Sequence, residues 1–308
     1  MKKILFFALP LTFLMACGGD KAAEEVVKLE TFKDKLSYSL GAEHARMLLE
    51  SGDPNLARYD YDKIIEGFKM GVKTDEIFDK KCQEVMRKMY GPQGQDFDTT
   101  YLEEACICNG KYLGAIFHKN WKKVDALDQI DMDMVAIGIK QAFEKRDTLI
   151  SKEDRNEILN NFIIDINKKN GGKMLDAAKK LPNTQVTPDG IVIQTVSAGK
   201  GGSPSATDDV KVDYILTTPQ GDTVESSLKA RSPEMPAQPL SINLGSVIPG
   251  WTKAFPLLKK GGKYRIFIPG ELASGAQQGF QSLCFYIDFH DFGKAGTLAQ
   301  PPAEDPRH

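Results

Sequence analysis

The 308-residue sequence lacks the residue patterns that the common metal, redox and nucleotide chemistries require. Its five cysteines form no C-x-x-C pair, its four histidines form no H-E-x-x-H motif, and its glycines form neither a phosphate-binding loop nor a dinucleotide fingerprint. An excess of positive charge is also missing, because 40 Lys and Arg residues face 42 Asp and Glu residues. That balance argues against a protein that binds nucleic acid by neutralising phosphates. We therefore expect no metal, no cofactor and no nucleic-acid partner.

The chain does have enough apolar residues to fold. Its 41% hydrophobic and 9% aromatic content is too high for a disordered protein, and its length predicts two folded units. Helical spacing of apolar residues dominates the first half, whereas strict alternation dominates the second. The pattern predicts an α+β protein in which an all-helical amino-terminal domain precedes an antiparallel sheet wrapped on one short helix.

The amino terminus has the layout of an export signal. Lys2 and Lys3 precede an uncharged apolar run over residues 4–16, which is short for a spanning helix of ~20 residues but typical of a signal peptide. The sequence Leu14-Met15-Ala16-Cys17 resembles the bacterial lipobox, in which cleavage precedes a cysteine that receives lipid. An ordinary signal peptide or a buried helix would leave the position of Cys17 unexplained. The resemblance implies several acyl chains on Cys17 and stable anchoring to a membrane of the cell envelope, in our interpretation the outer membrane, on its periplasmic or surface side.

The helical half repeats itself. The face formed by Tyr61, Ile64, Ile65, Phe68 and Val72 recurs 71 residues later as Met132, Val135, Ala136, Ile139 and Phe143. The same step relates Gly67 to Gly138 and Lys69 to Lys140, whereas Leu40-Gly41-Ala42 recurs 73 residues later as Leu113-Gly114-Ala115. Asp60 and Asp131 occupy equivalent N-cap positions. These matches predict two three-helix units.

The segments Lys35-Leu36-Ser37-Tyr38-Ser39-Leu40-Gly41 and Ile65-Glu66-Gly67-Phe68-Lys69 resemble the amino-terminal domain of dimeric bacterial FKBP-type prolyl isomerases, the macrophage-infectivity-potentiator-like group. In that family, short helices of two chains interlock to form a dimer. Because one chain carries two copies here, our hypothesis is an internal pseudo-dimer in a monomeric protein. A helical spacer without defined pairing is the alternative interpretation.

The alternating region begins at Thr187-Pro188-Asp189-Gly190. Five strands are predicted, over residues 191–193, 210–214, 240–244, 264–268 and 283–287. A single helix is predicted for residues 249–257. Cys284 lies in the last strand, so we expect it to be a buried free thiol; an exported location permits a disulfide from Cys82 to Cys106 or Cys108.

Several motifs of this second region resemble the FKBP-type peptidyl-prolyl cis-trans isomerase domain. They are Val247-Ile248-Pro249-Gly250-Trp251, Asp209-Val210-Lys211-Val212-Asp213-Tyr214, Val224-Glu225-Ser226-Ser227 and Ile268-Pro269-Gly270-Glu271-Leu272-Ala273. The resemblance implies a rotamase that turns X-Pro bonds of unfolded or exported polypeptides and assists their folding as a chaperone. Catalysis of this kind needs an apolar pocket for the prolyl ring and a backbone donor, rather than a nucleophile.

The resemblance also assigns roles to particular residues. Trp251 would floor the pocket, the backbone N–H of Ile248 would hold a substrate carbonyl, and the walls would be Val247, Ile248, Tyr214 and Phe285. Glu225 completes the catalytic set, and Val224, Leu240 and Ser274 would contact substrate.

The chain departs from the family pattern at four places. Val224-Glu225 replaces Phe-Asp, Leu240 replaces an aromatic wall, Ala273-Ser274-Gly275 replaces Ala-Tyr-Gly, and the loop over residues 276–281 is short. Smaller side chains remove apolar contact with a ligand. The alternative interpretation is therefore a non-enzymatic chaperone or peptide-binding lipoprotein that keeps the fold with a degenerate pocket.

We divide the chain into seven segments on this basis. They are the signal peptide (1–16), a flexible tether (17–33), helical repeat 1 (34–103), helical repeat 2 (104–170), a linker helix (171–186), the isomerase domain (187–293) and a disordered tail (294–308). The Lys-Lys-Asn-Gly-Gly run at residues 168–172 predicts a helix end or kink between the second repeat and the linker helix.

Overall fold

The computed structural model describes residues 27–52, 56–74, 76–77, 79–91, 98–230, 237–273 and 275–298. The signal peptide, Cys17, Ser274, much of the tether and most of the tail lie outside these residues. Six α-helices precede the sheet in the described part of the chain. They are α1 (Phe32–Glu50), α2 (Tyr61–Gly71), α3 (Lys80–Tyr90), α4 (Leu102–Lys123), α5 (Met132–Phe143) and α6 (Lys152–Ala178). Within the described residues, no helix is long and apolar enough to cross a membrane.

The helix starts follow from the capping residues that the sequence supplies. The Asp60 carboxylate accepts hydrogen bonds from the first-turn N–H groups of α2, and Asp131 does the same for α5. Ser151 caps α6 through the N–H of Asp154. These side chains satisfy donors that have no partner within their own helix. The predicted N-caps at Asp60, Asp131 and Ser151 are therefore confirmed.

The two repeats are interleaved rather than side by side. α1 of the first repeat packs on α5 of the second, and α4 of the second packs on α2 of the first. Glycines set both crossings, because a Cβ atom at Gly41 would lie 2.1 Å from the carbonyl oxygen of Val135, and one at Gly138 would lie 2.3 Å from that of Tyr38. The α2–α4 crossing repeats this arrangement with Gly67 and Gly114. Only glycine allows the two helix backbones to approach so closely.

Charged pairs across the α2–α5 contact show the same two-fold relation. Lys69 Nζ lies 3.3 Å from Asp133 Oδ1, and Lys140 Nζ lies 2.5 Å from Asp62 Oδ1. The members of one pair are the 71-residue equivalents of the other. Exposed ion pairs contribute only ~0–1 kcal/mol each. These two pairs therefore add little to the stability of the helix bundle, but they show that its two repeats are related by a two-fold axis.

The carboxy-terminal part forms a seven-stranded antiparallel sheet around α7 (Pro249–Ala254). Its strands are β1 (Thr184–Val186), β2 (Val192–Ser197), β3 (Asp209–Thr217), β4 (Thr223–Ser226), β5 (Leu240–Asn243), β6 (Lys263–Ile268) and β7 (Leu283–Gly293). The strand order is β1-β2-β6-β7-β3-β4, with β5 paired to β3. The predicted fold class is confirmed. Sequence alternation missed β1 and β4, which have three and four residues.

The expected helix end or kink at residues 168–172 is wrong. A single helix, α6, continues through this run for 27 residues, so the boundary expected at residue 170 falls inside it. Asn170 and Gly171 are buried, and the Asn170 side chain donates a hydrogen bond of 2.9 Å to the carbonyl of Val124. Two glycines cost a helix ~1 kcal/mol each, and packing on both sides of α6 offsets that cost.

The cysteines of the described residues form one disulfide, between Cys82 on α3 and Cys108 on α4. Cys106 and Cys284 are free and buried, as expected for Cys284. Burial away from water raises the pKa of both thiols. The disulfide therefore links α3 to α4. α3 packs in a small cluster with the start of α4, and this cluster is separate from the main core of the interleaved helices.

Candidate functional site

The first turn of α7 carries Trp251 and is shaped by Pro249. A residue before proline is pushed out of the helical region, and Ile248 adopts φ −58° and ψ 146°. Its carbonyl oxygen accepts the N–H of Trp251 at 3.0 Å. Among the described residues, the Ile248 backbone N–H makes no hydrogen bond. Ile248 therefore presents a free backbone donor one turn from the indole.

Three aromatic rings surround the Trp251 indole. Ring centroids of Tyr214 and Phe285 lie 6.0 Å and 5.1 Å from it in edge-to-face arrangements, and Phe255 lies 5.0 Å away on the side of α7. Edge-to-face contacts of this kind contribute ~0.5–1.5 kcal/mol beyond burial. Trp251 is 4% exposed, and Tyr214 and Phe285 are each 6% exposed. The rings form the base of the site.

Strand register brings Tyr214 and Phe285 together. β3 and β7 are antiparallel neighbours in which Tyr214 opposes Ile287 and Leu216 opposes Phe285. Opposed residues share a sheet face, so all four side chains face α7. Residues that are 71 positions apart in sequence thereby meet with ring centroids 6.4 Å apart.

Gly250 determines how closely the first turn of α7, and with it Trp251, approaches the sheet. A Cβ atom at this position would lie 2.4 Å from Cγ2 of Ile268 on β6. The absence of a side chain lets the first turn of α7 settle directly on the sheet. Trp251, the next residue, is consequently held against the rings of β3 and β7.

A polar network holds Tyr214 in its strand. β5 pairs with β3 as far as Val212, and β4 pairs with β3 from Ile215 onward, which leaves the edge of Tyr214 between them. Ser227 fills this gap, because its Oγ accepts the Tyr214 N–H at 3.0 Å and its own N–H donates to the Tyr214 carbonyl at 3.0 Å. The Ser227 hydroxyl donates to Asp213, whose other carboxylate oxygen lies 2.8 Å from His290 Nε2.

The remaining predicted site residues divide into some that pack against the rings and some that do not. Leu240, Val247 and Ile248 are partly buried and pack against the ring cluster. Glu225 is exposed on β4, opposite Leu216, and Val224 beside it is 59% exposed and outside the cluster. Ser274 and the lipidation candidate Cys17 lie outside the described residues. The structure thus brings six of the predicted residues together and leaves Val224 and Glu225 at the sheet edge.

Two contributors were missed by sequence reasoning. Phe255 lies directly after α7 and its ring packs against the indole, and its place four residues after Trp251 was a signal for one helix face. Ser227 was recognised only as part of a motif. Its role depends on a gap between two strands, which the sequence does not show.

A cavity of about 540 Å³ lies on another side of α7, away from the ring cluster. Its lining includes Val186, Pro188, Thr252 and Leu257, and among the described residues no aromatic side chain contributes to it. The ring cluster is the better candidate site, because a prolyl ring packs favourably on aromatic surface and the free Ile248 donor is beside it.

Comparison with known proteins identifies the family to which the chain is similar. The family model for FKBP-type peptidyl-prolyl cis-trans isomerase matches residues 201–289. The FKBP-type peptidyl-prolyl cis-trans isomerase FkpA of Escherichia coli K12 is 32% identical over 215 residues, which cover 65% of this chain and 70% of that protein. The outer membrane protein MIP of Legionella longbeachae is 29% identical over 177 residues, covering 53% and 72% of the two chains. The crystal structure of FkpA from Escherichia coli aligns with 63% of this chain and 97% of its own, at 28% identity and a TM-score of 0.38.

The Ser227 network predicts the result of a single substitution. Ser227→Ala leaves the buried N–H of Tyr214 without its acceptor, so we expect the free energy of unfolding to fall by ~1–3 kcal/mol. Ser226→Ala is the matched control, because the Ser226 hydroxyl accepts only a local, exposed N–H from Leu228, and its effect should stay within ~0.5 kcal/mol. Chemical denaturation measures both values. Equal effects of the two substitutions would contradict the assigned role.

Proposed function

This chain belongs to the FKBP-type peptidyl-prolyl cis-trans isomerases, in their Mip-like group, and on that premise we propose how its site turns an X-Pro bond. The protein is an isomerase, or rotamase, whose substrates are proline-containing polypeptides. We propose which residues of this chain form the catalytic site and in which part of the cell the protein acts.

The chemistry requires little beyond a suitable surface. Rotation about a peptide bond has a barrier of ~18–20 kcal/mol, because twisting breaks amide resonance. Water stabilises the planar amide, so an apolar environment that excludes water lowers the relative free energy of the twisted form. A fixed hydrogen bond to the chain keeps one side of the bond in place while the other turns.

The observation that carries the proposal is the Trp251 ring cluster beside a free backbone donor. In our proposal the prolyl ring rests over Trp251 between Tyr214 and Phe285, with Val247 and Ile248 as side walls. The Ile248 N–H donates to the substrate carbonyl, since nothing in the described residues competes for it. Glu225 lies at the open edge, where it faces the peptide chain rather than the prolyl ring.

We propose that smaller residues at three predicted contact positions lower the affinity of this site. Val224, Leu240 and Ser274 stand where the family has larger aromatic or tyrosyl side chains. Trimming an aromatic to a small side chain removes roughly 1 kcal/mol of contact, so three such changes lower affinity by about two orders of magnitude if they add. We therefore propose a site that binds short peptides weakly and serves long unfolded chains with additional contacts.

An isomerisation assay on short X-Pro peptides, without a coupling protease, tests the site. Trp251→Phe keeps an aromatic core residue but narrows the floor of the pocket, and we expect kcat/KM to fall on the order of tenfold, the equivalent of ~1.4 kcal/mol. Trp121→Phe is the matched control, because Trp121 packs on Phe117 and Phe162 within the helical half.

Two results would contradict this proposal. Equal activity of Trp251→Phe and the wild type would remove Trp251 from the site. A wild-type protein that binds unfolded chains without accelerating isomerisation would favour the non-enzymatic chaperone instead.

For the helical half we propose an internal pseudo-dimer and a monomeric protein. The support is the interleaved pairing, in which α1 and α2 of repeat 1 find their partners, α5 and α4, in repeat 2 of the same chain. The faces that would recruit a second chain are thereby covered. We propose repeat 1 at 34–103, repeat 2 from residue 104 to the end of α6 at Ala178, and an isomerase domain that includes residues 187–293.

Light scattering on the lipid-free protein, residues 18–308, tests this arrangement. We expect the mass of one chain at micromolar concentration, because the helix crossings are already filled. A stable dimer would contradict the pseudo-dimer.

We propose that the helical half also contributes a folding-chaperone role. Its surface exposes large apolar side chains, of which Phe32 is 60% exposed and Met47 69% exposed. Such side chains offer contact area to unfolded proline-containing polypeptides. The isomerase site and this surface would then act on the same client.

We also propose that the protein is a lipoprotein of the cell envelope, anchored in the membrane through Cys17 after removal of its signal peptide and serving exported proteins in the periplasm or at the surface. The support is the lipobox-like sequence and the likeness to a relative described as an outer membrane protein. Cys17→Ser should move the protein from the membrane fraction to the soluble envelope fraction. Membrane retention of that variant would contradict anchoring at Cys17.

A further inference from the structure

The chain between β6 and β7 connects the ring cluster with the helical half. At its start, Leu272 and Ala273 pack in the same cluster as Trp251. Its later part contacts α6, because Gly279 lies beside Asn167 and Ser282 lies beside Gly171. One end of this connection therefore borders the site and the other end borders the helical half.

The later part holds backbone conformations that need support. Gly275, Gly279 and Phe280 all have positive φ, and Phe280 has φ 57°. A residue with a side chain adopts this left-handed region only at an energetic cost. Such a conformation persists where surrounding contacts determine it.

α6 supplies those contacts. Asn167 Nδ2 donates to the carbonyl of Gly279 at 3.0 Å, and Lys168 Nζ lies 5.0 Å from the centroid of the Phe280 ring. One turn further, Gly171 lies directly on Ser282, because a Cβ atom at Gly171 would be 2.2 Å from the Ser282 Oγ. Three residues within two turns of α6 thus contact Gly279, Phe280 and Ser282.

The support continues from Phe280 to the site. A Cβ atom at Gly270 would lie 1.8 Å from the carbonyl oxygen of Phe280, so the two backbone segments are in direct contact. Gly270 begins the short helical turn Gly270–Leu272, whose last residue packs with the ring cluster. A shift of Phe280 would therefore act on the turn that carries Leu272 and Ala273, which belong to the same apolar cluster as Trp251.

We infer that Asn167, Lys168 and Gly171 of α6 are positioning residues for the isomerase site, which hold the β6–β7 connection in the conformation that binds an X-Pro peptide. The inference rests on the proposed function of the ring cluster. The helical half acts in this scheme as a structural part of the peptide site, through contacts that a separated isomerase domain would lose.

Gly171→Ala is the sharpest test, because the added methyl group pushes Ser282 away while alanine favours the helix itself. Gly172→Ala is the matched control, since a Cβ atom there meets nothing within 4 Å. We expect Gly171→Ala to lower kcat/KM for a short X-Pro peptide about tenfold, mainly through a higher KM, because a small misplacement of site residues weakens binding. Gly172→Ala should stay within about twofold of the wild type.

Two further measurements separate positioning from general damage. Ser282→Gly removes the clashing hydroxymethyl group, so the double variant with Gly171→Ala should regain the kcat/KM of Ser282→Gly alone. Hydrogen exchange at the Phe280 amide, which donates to the Gly275 carbonyl at 2.8 Å, should speed up about tenfold in Gly171→Ala. Asn167→Ala should act in the same direction, and Asn160→Ala, two turns earlier on an exposed part of α6, should not.

Unchanged kcat/KM and unchanged Phe280 exchange in Gly171→Ala would overturn the inference. A loss of activity that Ser282→Gly does not restore would overturn it as well. An inactive wild-type protein would refute the proposed function itself, whereas an active wild type with silent α6 variants would refute only the positioning role.

Discussion

The seating of the Trp251 indole on the rings of Tyr214 and Phe285 is the contact on which the site depends. It requires the β3–β7 register, which places both rings on one sheet face, and it requires a helix that starts directly above them. Pro249 starts that helix and Gly250 lets it approach the sheet. The same proline extends Ile248 and leaves its N–H available. A short sequence motif therefore determines the floor, the depth and the hydrogen-bond donor of the site together.

A second constraint, close approach of helix backbones, organises the other half of the molecule. Glycines at equivalent positions of the two repeats allow two crossings that are related by an internal two-fold. α6 then leaves this bundle, and its last turns pack on the outer face of the sheet, where Met174 and Leu175 contact the cluster of Val192, Phe267 and Cys284. The rings of the site lie on the opposite face. The sheet is thus covered by α7 on one side and by α6 on the other.

The parts of this structure that sequence alone predicts are those encoded by local chemistry. The caps at Asp60 and Asp131, the helix start at Pro249 and the alternation of β3, β6 and β7 are all read within a few residues. The exchange of helix partners between repeats followed only from a family resemblance, because periodicity shows which face is buried but not what buries it. The site rings were also found through resemblance, since for a single aromatic residue a place in the core is the ordinary expectation.

The features that sequence did not predict depend on contacts between distant segments. Gly171 and Gly172 indicate a helix end by composition, yet α6 continues because Gly171 packs on Ser282 and Asn170 bonds to Val124. The strand β4 is short and exposed, so its four residues carry no clear alternation. Ser227 supports Tyr214 only because two neighbouring strands end beside it. In each case the residue type is visible in the sequence, and its partner is not.

In the proposed complex, the prolyl ring of a substrate lies on Trp251. The chain has two tryptophans, so its spectrum contains two indole N–H resonances, and Trp121→Phe assigns the one from Trp251. Among the described residues the Trp251 Nε1 has no hydrogen-bond acceptor, which makes its resonance sensitive to a neighbouring ligand. Titration with an X-Pro peptide should shift this resonance in a saturable way, and the matched X-Ala peptide should not. A Trp251 resonance that stays in place while the X-Pro peptide binds would contradict the account.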